Sequence, residues 1–353
     1  MDRVNKRDDA LDAVKGFAIL IVMLGHCMVL NGLADPYIYD AIVAVQMPLF
    51  MVVSGFIAGR APLLLTEKPD GKKWLIKLQR RTFSYLLPFF VWLFLTHLTN
   101  PLEELKLQLF ALDRGLWFLM TLWIVTLVTM IASYGADHCG WKCSGKPLVK
   151  GILRFVVFCM IVGICYLGFI IQGRSGNSFL SPSLTVKYLP FYVAGYLWAA
   201  YVMPFIRQHP ISGVKGRLIN YLLWIAAFAA FIYFIAAFDM IVVTDARALL
   251  VQMTASFLGS FVCFYGIYHF AGGWVKKGLS FIGQYTLEIY VLHFRFARLL
   301  GIGEKGLQVY SLQAAGWLAA AFVVMSILTA LCIYLIKKVW ILDLLLFGKS
   351  RKK

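Results

Sequence analysis

Ten apolar runs of about twenty residues occupy most of this 353-residue chain, and few folds accommodate them. A helix needs about 20 apolar residues to cross the hydrocarbon core of a bilayer. In lipid, every backbone N–H and C=O must be satisfied within its own segment, so such runs are read as helices. They are Ala13–Leu33, Tyr39–Ala58, Thr82–Leu98, Leu116–Tyr134, Ile152–Ile171, Leu184–Pro204, Ile219–Phe238, Arg247–Phe270, Ser280–Leu300 and Ala314–Ile336. The ninth carries Glu288, His293, Arg295 and Arg298 inside it, which makes it the weakest. Val339–Phe347 is too short to cross and reads as a half-buried tail. The expected architecture is all-α, a polytopic membrane protein of about ten transmembrane helices forming one domain over 1–353. Composition agrees, at 61% hydrophobic and 14% charged with mean hydropathy +0.78. A soluble domain carries about 25% charged residues.

A net charge of +17 invites a nucleic-acid partner, but its distribution argues against one. With the N-terminus inside, 26 of the 34 Lys and Arg fall on inner segments, seven of them in Arg60–Arg81 alone. That asymmetry is the positive-inside pattern for an even number of spans with both termini cytoplasmic, and it also favours anionic membrane lipid. No nucleic acid is expected. The first run is longer than a signal-peptide core and carries Lys15 and His26, so it reads as an uncleaved anchor and first span. The seven cysteines form no disulfide framework; five lie in spans, where they act as small apolar residues. His138, Cys139 and Cys143 share an inner loop but lack a fourth ligand, so reduced thiols are the simpler reading and no metal is expected.

Ionisable groups inside a membrane are costly and mark functional sites by default. Lys15 and His26, both in the first run, are eleven residues apart. In a helix that separation returns almost to the same face and rises about 16 Å. It puts a cation near one surface and an imidazole near or past the middle of the span. Such a pair, about a pantetheine arm apart, suits a coenzyme whose phosphates are held at one end while reaction occurs at the other. The inner loop Gly59–Arg81 is broken by Pro62 and Pro69, then runs as a helix from Lys72 to Arg81 into the third span. Lys73, Lys77, Arg80 and Arg81 cluster there at helical spacing. Two readings fit them: an anchor for anionic headgroups, or a phosphate site with Arg making bidentate contacts.

Five segments, in order, carry a family resemblance. Leu11-Asp12-Ala13-Val14-Lys15-Gly16 followed by Leu24-Gly25-His26 resembles the opening of acyltransferase family 3, membrane O-acyltransferases, and is most like its fucose-4-O-acetylase-type branch. Met47–Phe56 is similar to the family's Phe-x-x-x-Ser-Gly-aromatic end of the second span, and Leu116-Trp117-Phe118-Leu119 to its Leu-Trp-Phe-Leu signature. Leu189–Tyr196 resembles its Pro-Phe-aromatic-x-x-Gly segment, and Ile282–His293 its closing Gly-x-x-(Ser/Thr)-x-x-Ile-Tyr-x-x-His. The chain departs from the pattern in two places: Lys15 stands where Arg is frequent, and Pro88 follows Arg81 by seven residues, about one turn more than usual.

The resemblance implies an O-acyltransferase that takes acyl-CoA, acetyl-CoA above all, as co-substrate on the cytoplasmic side. Its acceptor is then a hydroxyl of a surface glycan or lipid-linked sugar, and its location the bacterial cytoplasmic (inner) membrane. On that reading Lys15, Lys77, Arg80 and Arg81 grip coenzyme phosphates, and neutral His26 acts as general base. Direct transfer requires no metal and no bound cofactor. Each residue also has a plainer role open to it: His26 as a core histidine bonded to a carbonyl, Lys15 as a snorkelling cation, Asp12 as the partner of Lys15 or a cap of the helix. Ser54 with Gly55 suits close helix packing. Trp117 and Phe118 suit either an interface or an acceptor cleft, and Glu288 and His293 suit polar contacts that orient the site. Arg295 and Arg298 could hold an acceptor phosphate or serve as anchors. A sugar or lipid transporter or flippase is the rival class; the lack of a second half repeating the first argues against it.

The charge count makes a topology prediction. Reporters after Lys353 and in the Lys68–Lys73 loop are expected in the cytoplasm, and tags near Glu103 and Gly303 outside. An external C-terminus would mean an odd number of spans.

Overall fold

The computed structural model describes residues 8–60, 68–111, 115–208 and 213–348. Among them there is no β-strand, and eight helices are long and apolar enough to cross a membrane. The protein is an all-α integral membrane protein. Pro62 and the last five residues lie outside the described residues. Two compact units divide the chain: residues 1–54 with 204–336, and residues 55–203 with 337–353.

The first unit opens with α1 (Asp9–Leu30), unbroken for 22 residues. Asp8 caps it by accepting from the amides of Ala10 and Leu11, and Asp9 and Asp12 favour the positive end of the helix dipole. α2 (Ile38–Gly59) starts in this unit and passes into the second after Ser54. The chain returns through α9 (Gly213–Ala237) and α10 (Ala246–Phe270), which pack on each other, while α10 also lies against α1. The loop between them is pinned at Met240, whose N–H donates to Asp40 and whose carbonyl accepts from Gln252. There Asp239 accepts from the N–H groups of Val242 and Ile241, which hold its carboxyl below the usual range.

The ninth apolar run is not one helix. It is split into α11 (Gly273–Gly283), α12 (Thr286–Leu292) and a 3-10 turn at His293–Phe296. Broken backbone is tolerated at membrane depth where protein covers it, and here both helices and the 3-10 turn lie against α1. At the α1–α11 crossing, a Cβ on Gly16 would sit 1.9 Å from the Leu279 carbonyl oxygen, and one on Gly283 would sit 1.8 Å from that of Asp12. The two backbones touch, and only glycine on both sides permits it. α13 (Leu312–Lys338) completes the unit, its Ala314, Ala321 and Met325 packing with Met23 and Cys27 of α1.

The second unit holds α3 (Gly71–Thr96), α4 (Pro101–Phe110), α5 (Trp117–Lys142), α6 (Pro147–Arg174) and α7 (Pro182–Leu197). After a π-helical turn over Trp198–Val202, α8 (Met203–Gln208) leads back to the first unit. α5 packs on α3, α6 and α7. α3 is helical throughout and long enough to cross, but Arg80, Arg81 and the lysines before them leave it too polar to count with the eight apolar spans. α5 runs helical to Lys142, so His138 and Cys139 lie on a helix, not in a loop as expected; His138 stacks on Tyr134. Arg154, placed by the charge count on an inner segment, is buried in α6 and paired with Asp137. The end of α2 meets α7 through Gly55 and Gly59, whose Cβ atoms would fall 1.9 and 2.3 Å from the carbonyl oxygens of Tyr192 and Tyr196. The expected tail is α14 (Trp340–Phe347), docked on α3 by a bond from the Trp92 indole to the Leu346 carbonyl.

Gly16→Ala should lower expression and the melting temperature in detergent, because the added methyl meets a backbone carbonyl that cannot rotate away. Overpacking typically costs about 1–3 kcal/mol, and a clash with backbone rather than a movable side chain sits at the high end. Gly151→Ala, on α6 with open space around it, should leave the melting temperature unchanged or raise it slightly. Equal melting of the two variants would contradict the backbone contact.

Candidate active site

Because α1 is continuous, Lys15 and His26 sit on nearly one face, about 16 Å apart along the axis. Lys15 is already paired, its Nζ 2.5 Å from Asp12 Oδ1 one turn earlier. The pair shields the carboxylate, which is buried, while the ammonium side chain keeps 23% of its surface exposed.

His26 is half-buried and faces the 3-10 turn. Its Nδ1 lies 2.8 Å from Nε2 of His293, the ring centroids being 5.0 Å apart and the ring planes inclined by 24°. Phe294 meets His26 edge-on at 5.3 Å. His293 is only 1% exposed, and its Nδ1 lies 2.8 Å from the carbonyl oxygen of Ile289. Residues 267 positions apart thus form one polar pair inside an apolar wall.

Two further side chains tie the end of α1 to this turn. Asn31 donates from Nδ2 to the carbonyls of both Cys27 and Ala297, each at 2.8 Å. Arg298 donates from Nε to the Leu30 carbonyl at 3.0 Å. Arg298 thus touches the α1 terminus while staying exposed, and Arg295 is exposed near it. Glu288 is fully buried on α12. Asn31 was missed from the sequence; its signal, an Asn at the end of an apolar run, is the ordinary signature of a helix terminus.

In the second unit, Asp70 caps α3 by accepting from the amides of Lys73 and Lys72, bonds that hold its carboxyl below the usual range. The first turns of α3 then present Lys73, Lys77, Arg80, Arg81 and Ser84 around one groove of about 430 Å³. All four cations expected to cluster on this helix line the groove. Arg81 is steadied by a bond from Nη1 to the Tyr85 hydroxyl at 3.0 Å, whereas Lys77 and Arg80 are exposed. Ser54 is half-buried on α2. Trp117, at the start of α5, stacks on Tyr188 with centroids 5.5 Å apart, and Lys187 lies over the other partner of that stack, Nζ 5.7 Å from the Tyr188 ring. Lys187, a cation within an apolar helix, is a second residue the sequence reading passed over. Among the described residues no three His, Cys, Asp or Glu converge to hold a metal.

A family model described as an acyltransferase domain, acyltransferase family 3, matches residues 8–337. The chain is also similar to nodulation protein NolL of Sinorhizobium fredii (strain NBRC 101917 / NGR234), 43% identical over 61 residues. That stretch covers 15% of this chain and 16% of the relative. No solved structure matches.

Asn31→Ala should lower the melting temperature, since it leaves two carbonyls without their donor. Side-chain bonds in membrane bundles are worth about 1 kcal/mol each. Asn31→Asp, which lacks the donor amide, should be no better than Ala. Unchanged melting in both would show that the tether carries no load.

Proposed function

The chain belongs to the acyltransferase domain family, and from that premise we propose that it transfers an acyl group, acetyl in the first instance, from acyl-CoA to a sugar hydroxyl. The observation that carries the reading is a half-buried imidazole on an unbroken transmembrane helix, locked against a second imidazole. Neutral His26 takes the proton of the acceptor hydroxyl as the oxygen attacks the thioester carbon. The C–S bond breaks, and the proton passes to the departing coenzyme thiolate. A ring held on one side by a hydrogen bond and on another by Phe294 loses little orientational freedom on the way to the transition state.

The basic groove of α3 supports the coenzyme part of the proposal. Lys77, Arg80 and Arg81 converge there without a carboxylate among the groove-lining residues, and phosphate is the anion Arg recognises by paired N–H donors. Lys15 has two N–H bonds beyond the one given to Asp12 and is proposed as a coenzyme contact of the first unit. The stack of Trp117 on Tyr188, with Lys187 beside it, is the proposed platform for a sugar acceptor, whether on a surface glycan or lipid-linked. Arg295 and Arg298 are the cations proposed for an acceptor phosphate. The bacterial cytoplasmic membrane, with both termini inside, is the proposed location, resting on the Lys and Arg asymmetry.

The purified protein, given labelled acetyl-CoA and envelope glycan, should release CoA and label the glycan. His26→Ala should bind acetyl-CoA normally yet stay inactive at any concentration. Arg80→Ala with Arg81→Ala should raise the acetyl-CoA requirement: each lost charge-assisted bond is worth about 1.5–3 kcal/mol, roughly ten- to a hundredfold. Lys15→Ala should act in the same direction and Lys15→Arg should be mild. Transfer at the wild-type rate by His26→Ala would remove the base from the mechanism, and normal acetyl-CoA binding by the Arg and Lys variants would make them lipid anchors.

A further inference from the structure

The two imidazoles have a direction. A carbonyl oxygen has no proton to give, so the 2.8 Å contact between His293 Nδ1 and the Ile289 oxygen is donated by the ring. A neutral His293 protonated at Nδ1 has a bare Nε2, which can only accept. The 2.8 Å contact with His26 is therefore donated by His26 Nδ1–H. That leaves the lone pair of His26 on Nε2. The reverse direction needs protons on both nitrogens of His293, a cation at a site 1% exposed, where burying charge is costly.

We propose that His293 is a positioning residue that sets the tautomer of His26, making Nε2 the reacting atom. A free histidine side chain prefers the other tautomer, with its proton on Nε2, and in that form Nε2 has no lone pair to receive a proton. The proposal deepens the general-base reading of His26 and rests on it. It adds which atom takes the proton, what holds it ready, and why an imidazole with no substrate contact of its own is needed.

The anchor is built for this. The Ile289 oxygen also accepts the backbone N–H of His293, so one carbonyl fixes both the main chain and the ring of that residue. The helix ends there and tightens into the 3-10 turn, which Asn31 and Arg298 bind to the terminus of α1. His293 is closed off while His26 stays half-buried, so of the two rings it is His26 that a substrate can reach. In the reaction, the hydroxyl oxygen bonds to the acyl carbon and its proton moves to His26 Nε2. The positive ring that results keeps donating from Nδ1 to His293, a bond that strengthens as charge develops. When the C–S bond breaks, the sulfur leaves with its electron pair and collects the proton from Nε2, returning both rings to their starting tautomers.

The test uses the full-length protein in lipid nanodiscs with ¹⁵N-labelled histidine, His26 and His293 being assigned by the signals lost in His26→Ala and His293→Leu. At a pH where the rings are neutral, both should carry their proton on Nδ1. In His293→Leu, His26 should revert to the Nε2–H form. Its kcat should fall on the order of 10²–10⁴-fold, the scale of losing a general base or its correct tautomer, while the KM for acetyl-CoA stays near wild type. His293→Gln, whose Oε1 can accept from Nδ1–H, should keep the tautomer and restore kcat to within about tenfold of wild type. An Nε2–H tautomer on His26 in the wild type, a doubly protonated His293, or wild-type kcat in His293→Leu would overturn the proposal. The spectrum stands apart from turnover: Nδ1–H on His26 together with full activity in His26→Ala would sink the general-base reading while leaving the tautomer assignment in place.

Discussion

Backbone meets backbone where α1 crosses α11, and the placement of the histidine pair follows from that contact. Gly16 and Gly283 remove every side-chain atom from the crossing, so the helices approach until Cβ positions would overlap carbonyl oxygens. A crossing this close admits little sliding, because any shift drives side chains beside the glycines into the opposite helix. With that point fixed, α12 and the 3-10 turn follow along α1 and deliver His293 to His26 nearly three turns above Gly16. A small-residue contact, with no chemistry of its own, sets the register of the polar pair.

The same turn shows how a membrane protein keeps polar groups in an apolar wall. Each imidazole nitrogen left without a partner in hydrocarbon costs free energy comparable to a lost hydrogen bond or more. His293 meets that cost by using both nitrogens, one on Ile289 and one on His26. Asn31 does likewise, with one amide nitrogen serving two carbonyls left over at the ends of helical segments. The break that disqualifies residues 280–300 as a single span is what supplies the Ala297 carbonyl. Broken backbone and polar side chains satisfy each other here, and neither would be tolerated alone.

The basic groove of α3 follows a different logic. Its cations stand on consecutive turns of a helix capped by Asp70, so their spacing is set by the helix rather than by mutual attraction. Like charges held together this way repel, and the arrangement is stable because Lys77 and Arg80 remain exposed to water while Arg81 is held by Tyr85. A multiply charged anion is the partner that relieves such repulsion. Salt weakens that attraction at exposed positions, with a screening length of about 8 Å at physiological ionic strength.

Apolar period and charge asymmetry were enough to read an all-α membrane protein, the position of its first helix, the Lys15–His26 spacing and the clustering of Lys77, Arg80 and Arg81, because each depends only on local helical geometry. Local pattern also placed Gly55 at a close helix contact. It failed where distant segments decide the outcome. Residues 280–300 are apolar enough to resemble a span, yet they pack on α1 in pieces, and His293 finds partners there for both of its nitrogens. His138 and Cys139 looked like loop residues because the apolar run stops at Tyr134, but α5 continues to Lys142 on contacts with α6. The partner of His26, the tether at Asn31 and the bond from Arg298 to the Leu30 carbonyl were invisible for the same reason. A hydrogen bond between residues 267 positions apart has no period to betray it, and its direction depends on a carbonyl that only the folded backbone puts in place.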